Sequence, residues 1–238
     1  MNFENLFGTN RIKRFTNEIR RLRRKYSDWF LTALTVLLFL MTFVFSPLQA
    51  AGFHLFQAFA VAGLLAIIVG VMIISDNEIA ILAMSIAFIA NLSVFLLRLF
   101  DPPWQYNLYL LAASWSIISI TLSIVVIDAV FRRGRVTYHR IVGAILLYFL
   151  VAIFFVTLFA FVGLSIPGAF KGVAFNHEST LAAELIYLSF TTLTTTGYGD
   201  IVPIHPLARS LCNIEAIVGQ LYPATLLARL VTLEVSGK

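Results

Sequence analysis

Long apolar blocks separated by short polar breaks set the pattern of this chain. The blocks run over Trp29–Phe45, Phe53–Ile74, Ile79–Phe100, Leu108–Val130, Ile141–Gly163 and Ala208–Val231. A bilayer core about 30 Å thick needs roughly 20 apolar residues in a helix, so each block predicts a membrane span. A seventh segment, Leu181–Thr194, is free of Pro and Gly but reaches only about 20 Å as a helix. It is too short to cross and predicts a re-entrant half-helix, with Ser179 or Thr180 as its N-cap. The stretch after Thr194 must then be buried in protein or line a water-filled path, because exposed backbone is not tolerated at membrane depth. The fold class that follows is an all-α membrane protein with six transmembrane helices and one re-entrant helix.

Composition agrees with the pattern: the 238 residues are 60% hydrophobic and 12% charged, against about half and a quarter in soluble domains. Charge adds orientation. Basic residues cluster before the first span, from Arg11 to Lys25, and after the fourth, at Arg132, Arg133, Arg135 and Arg140. By the positive-inside rule both clusters belong on the cytoplasmic side of a cell membrane, with both termini inside. The net charge of +5 therefore reflects membrane boundaries and gives no reason to expect nucleic acid. Ile12, Phe15, Ile19, Leu22 and Tyr26 recur at helical spacing among the N-terminal Arg and Lys. Residues 1–28 thus read as a basic amphipathic helix at the inner surface that holds the N-terminus inside, with regulation by anionic lipids as the sharper alternative. A cleavable signal is disfavoured, since Leu48 stands three positions before a cut after Ala50. The single cysteine, Cys212, excludes an intrachain disulfide and reads as a small packing residue.

The candidate chemistry lies just past the half-helix, in Thr194-Thr195-Thr196-Gly197-Tyr198-Gly199-Asp200. From Ile141 onward the chain resembles the tetrameric potassium channel family of prokaryotic type, and these residues match its signature. The resemblance implies a selectivity filter at Thr195, Thr196, Gly197, Tyr198 and Gly199. There, backbone carbonyls, with the Thr195 hydroxyl, replace the hydration shell of K+. The spelling has a physical reason. In an ordinary strand alternate carbonyls point to opposite sides, so lining them up on one side requires alternating backbone handedness. Gly197 and Gly199 supply positions where positive φ costs little. One chain holds one such segment while a closed ring needs four, so the resemblance implies a homotetramer with K+ as the permeant ion and no cofactor.

Further roles follow from the same resemblance. Asp200 bonds an aromatic residue of the pore helix, here Tyr187, and Thr191 stands where some relatives carry a glutamate; both support the filter. Gly219 falls at the family's inner-helix hinge, and Gln220 after it faces the cavity. Independently, Pro223 cannot bond the Gly219 carbonyl four residues back, so both weaknesses fall on one turn. Glu215 is an ionisable group within a span, read as packed behind the pore helix. Residues 29–135 resemble the peripheral four-helix domain of voltage-gated relatives, and 136–238 the pore domain. The fourth block, however, contains no Arg or Lys, so strong voltage gating is not expected. His177 and His205 read as solvated loop residues beside the outer mouth. No room remains after the last span for a ligand-binding module, and no nucleophile–base pair or phosphate loop suggests an enzyme. The alternatives are a less selective cation channel, opposed by Tyr198, and a non-conducting regulatory subunit, opposed by the intact filter.

Overall fold

A computed structural model describes residues 29–52, 63, 65–67, 78–100, 105–131, 138–175 and 178–236. The basic segment 1–28, most of the second apolar block, Arg132, Arg133, Arg135 and His177 lie outside the described residues. Among the described residues six helices can be followed over their length. We label them α1 (Trp29–Ala50), α2 (Glu78–Phe100), α3 (Gln105–Phe131), α4 (Tyr138–Ser165), α5 (Glu178–Leu193) and α6 (Pro206–Ser236). A two-residue antiparallel ribbon joins β1 (Phe170–Lys171) to β2 (Val202–Pro203), pairing Phe170 with Pro203 and Lys171 with Val202.

Among the described residues four helices, α1 to α4, are long and apolar enough to cross a membrane. The last helix, α6, has the length, 31 residues or about 46 Å, but its apolar run is interrupted by Arg209, Asn213, Glu215 and Gln220. Its sequence suits a helix with one side on protein or water rather than on lipid. The half-helix α5 has 16 residues, about 24 Å. It begins at Glu178, so Ser179 and Thr180 sit in its first turn rather than at its cap.

The polarity of the helix faces is inverted relative to a soluble bundle. On α2 the exposed positions are Ile79, Leu82, Ile86 and Ile89, spaced by three and four residues along one face. On α3 the exposed stripe is Ile117, Ile120, Ile124 and Ile127. Polar residues midway along α3 point inward: Ser114, Ser119 and Thr121 are buried. Ser116 donates to Thr157 of α4 at 2.7 Å, and the Asn91 amide of α2 donates to Ser114 at 2.5 Å. In lipid there is little hydrophobic drive between helices, and such bonds between spans help specify the packing. Ser114 and Ser116 of the fourth apolar block are therefore interhelical pins.

Two cores result. One joins α1, α2, α3 and the first half of α4 through Leu31, Leu34, Leu38, Met84, Ile118, Leu122, Leu146 and Leu150. The other joins the second half of α4 to α5 and α6 through Phe155, Phe159, Leu181, Leu185, Leu188 and Ala208. Cys212 is buried in this second core as a free thiol, the packing role its isolation in the sequence suggests. An aromatic chain bridges the two halves: Phe43 of α1 meets Phe190 of α5 at 4.8 Å between ring centroids, with Phe149 of α4 against both. Around Phe43 the helix widens into a π-helical stretch, Met41–Phe45.

Candidate ion pathway at the end of the half-helix

The chain leaves α5 at Leu193 and turns sharply under its own last turn. Thr194 N donates to Phe190 O at 3.0 Å and Thr195 N to Thr192 O at 2.9 Å. The next two amides, of Thr196 and Gly197, both reach the Thr191 carbonyl, at 2.8 and 3.1 Å. Thr191 thus holds the segment through its backbone, while its hydroxyl bonds back to Tyr187 O and Leu188 O in its own helix.

Beyond this anchor the backbone alternates. Thr195, Gly197 and Gly199 are left-handed, at φ of 56°, 55° and 82°, and the intervening Thr196 and Tyr198 are not. Within the single chain nothing lies within 4 Å of where a Cβ would stand at Gly197 or Gly199, and the glycines there answer a conformational need. Thr195 is the exception to the sequence expectation. A β-branched residue at positive φ is an outlier, and such strain persists only where the surroundings enforce it. Its hydroxyl donates to Thr194 O at 2.7 Å and accepts from Gln220 Nε2 of α6 at 2.8 Å. The Thr194 and Thr196 hydroxyls meet at 2.8 Å. Thr194 through Asp200 are exposed in the single chain.

The far end is held by side chains and by the ribbon. The Tyr198 ring stacks on Tyr187 of α5, with centroids 6.0 Å apart and planes 7° from parallel. The Tyr187 hydroxyl interacts with the Asp200 carboxylate, which also accepts from Ile201 N at 3.0 Å. Past Asp200, β2 pairs with β1, and Ile204 N donates to Ala169 O at 2.8 Å. His205 is no idle loop residue: its Nδ1 accepts from Leu207 N at 3.3 Å, at the start of α6, with Pro206 in the first helical position where its missing N–H does no harm. The two-residue ribbon escaped sequence reasoning because Pro203 argues against a strand.

The inner side is formed where α5 and α6 touch. A Cβ built on Gly219 would collide with the Leu193 carbonyl, so the glycine lets α6 pass directly beneath the C-terminal end of the half-helix. The same carbonyl accepts from the Tyr148 hydroxyl of α4 at 3.3 Å. Three residues on, Tyr222 donates to Ala144 O of α4 at 2.6 Å and its ring lies 5.7 Å from that of Tyr148. Helix α6 continues through Pro223.

Behind the half-helix, Glu215 is fully buried. The Ser189 hydroxyl lies 2.9 Å from Ala152 O and 2.5 Å from Glu215 Oε1. It has one proton for the two, so both are hydrogen bonds only if the carboxyl supplies the second proton. Glu215 Oε2 has no partner among the described residues. The group ties α4, α5 and α6 together, as a packing role requires.

Residues 144–235 match the protein-family model described as ion channel. No curated protein and no solved structure matches the chain. The matched stretch runs from α4 through the half-helix and the alternating segment to the end of α6. The match covers the C-terminal part of the chain and supports an ion channel, in keeping with several described helices long and apolar enough to cross a membrane.

Proposed function

We propose that the chain is one subunit of a homotetrameric potassium channel that passes K+ down its gradient through a pore shared by four copies. The observation that carries this reading is the left-handed backbone at Thr195, Gly197 and Gly199, on an exposed segment hung from the C-terminal end of a half-helix. Alternation of this kind can turn successive carbonyls to one side, and a ring of such carbonyls replaces the water of a potassium ion. Thr195 to Gly199 form the filter in this reading, with Tyr187, Thr191 and Asp200 in support. The C-terminal end of α5 carries about half a negative charge from its aligned peptide dipoles, and four such ends favour a cation beneath the filter.

In the same proposal the six apolar blocks all span, with both termini cytoplasmic and Phe53–Ile74 as the second span. Residues 29–135 form a peripheral domain, 136–238 the pore domain, and the basic segment 1–28 rests on anionic lipid. The test is flux from liposomes loaded with K+ and reconstituted with purified protein. Potassium efflux that sodium does not replace and that Ba2+ blocks is the expected result. Equal sodium flux would make this a less selective cation channel. No flux of either ion would make it a non-conducting subunit.

A further inference from the structure

The hydrogen bond between α6 and the Thr195 side chain determines more than an attachment. A threonine hydroxyl has one proton and two lone pairs. The Thr195 proton goes to Thr194 O, 2.7 Å away, so only lone pairs face α6. The Gln220 group that meets them at 2.8 Å must therefore be its NH2 end, and the amide orientation follows from proton counting alone. Gln220 reaches this point because Gly219, one residue earlier, packs without a side chain against the Leu193 carbonyl. One lone pair on the Thr195 oxygen is thus taken, and an amide hydrogen with partial positive charge is fixed beside it.

Resting on the reading of Thr195 as the inner end of a cation filter, we infer that Gln220 sets how strongly the innermost ion site holds a dehydrated cation. Its NH2 group weakens that site by engaging the oxygen, and it is this bond that holds the amide's positive potential next to the ion. The Oε1 end, turned off the filter, is left to meet hydrated cations or water in the cavity. The site is held shallow, so an ion entering from the cavity is handed on rather than trapped. A divalent cation feels the same potential twice over, which makes Ba2+ the sensitive probe.

The experiment measures Ba2+ block from the cavity side in planar bilayers for the full chain and for Gln220→Met, which keeps length and loses the donor. Block should tighten about tenfold or more, the size expected for removing partial charges a few ångströms from a divalent ion. A double-mutant cycle with Thr195→Val, which removes the hydroxyl, separates this from general loosening: the Gln220→Met effect should largely vanish in that background. Unchanged or weaker block in Gln220→Met, or an equal effect with and without the Thr195 hydroxyl, overturns the inference. If Gln220→Met gives no measurable current, Ba2+-dependent thermal stabilisation of the purified variant decides instead. A larger shift than in the unmodified protein supports the inference, and an equal or smaller one refutes it. Loss of potassium flux in the unmodified protein would instead defeat the channel reading itself, whereas normal flux and block with no response at Gln220 would defeat only this inference.

Discussion

Thr195 is the single described non-glycine residue with a left-handed backbone. That conformation costs a β-branched side chain roughly 1–3 kcal/mol, and it is held by bonds from both directions, to Thr194 O and from Gln220. At Gly197 and Gly199 the same conformation is nearly free. Gly197→Ala would add about 1–2 kcal/mol per chain with no clash to relieve. The expected outcome is a protein that still folds but loses potassium-over-sodium flux in liposomes; retained selectivity would refute the role given to the glycine. Tyr187 does two separable things, stacking on Tyr198 and meeting Asp200. Tyr187→Phe keeps the ring and removes the hydroxyl, so single-channel openings should shorten several-fold while unitary conductance holds. Open times equal to those of the unmodified protein would show that Asp200 needs no partner from the half-helix.

Among the helices, α6 changes meaning once packing is known. Read along the sequence, Gly219 and Pro223 are two weaknesses on one turn, and both suggest bending. In the structure Gly219 is first a contact: its bare face lies against the Leu193 carbonyl, the last of the half-helix. Gly219→Ala must therefore push α6 off α5, at about 1–3 kcal/mol per chain for overpacking, and should lower the thermal midpoint of the assembled protein. Pro223→Ala touches no such contact and can restore the backbone bond to the Gly219 carbonyl. It should raise the midpoint slightly and, if the turn bends during opening, reduce open probability. Equal stability of Gly219→Ala and the unmodified protein would contradict the packing role. Glu215 obeys the same logic of three helices meeting. Glu215→Gln keeps size and a donor for Ser189, whereas Glu215→Ala leaves a cavity and strips the Ser189 hydroxyl of one of its two partners. The first should assemble normally and the second lose at least about 2 kcal/mol, as read by detergent-resistant tetramer on gels.

For the whole molecule, helix α1 packs on the half-helix of its own chain. Phe43 against Phe190 is the closest ring pair across that seam, and only six residues separate α3 from α4. If this arrangement persists in the assembly, cysteines at 43 and 190 joined by a short bis-maleimide should give a cross-linked species of monomer mass on denaturing gels. Dimers and higher ladders would place the peripheral domain on a neighbouring subunit. Helix α3 presents isoleucines outward and serines inward and carries no Arg or Lys. Moving one charge through 100 mV is worth about 2.3 kcal/mol, so open probability should change little between −100 and +100 mV (roughly the range that drives a charged helix). A steep response would require charge movement from some other element.

The sequence by itself determined that the blocks Trp29–Phe45, Ile79–Phe100, Leu108–Val130 and Ile141–Gly163 are apolar enough to span, that the half-helix is too short to, and that Gly197 and Gly199 mark a backbone of unusual handedness. These are local properties: helix length, apolar run and glycine conformational freedom are set by neighbouring residues along the chain. Contacts between distant parts decided the rest. The left-handed Thr195 follows from bonds made by α5 and α6 together, and a propensity argument at a β-branched residue points the other way. The inward serines of α3 became legible only when Ser116 met Thr157, 41 positions away. His205 as a helix cap, Gly219 as a contact and the ribbon through Pro203 each depend on a partner that sequence order does not bring near. The spans and the glycines at 197 and 199 are written in local chemistry; what holds the alternating segment in shape is written in packing.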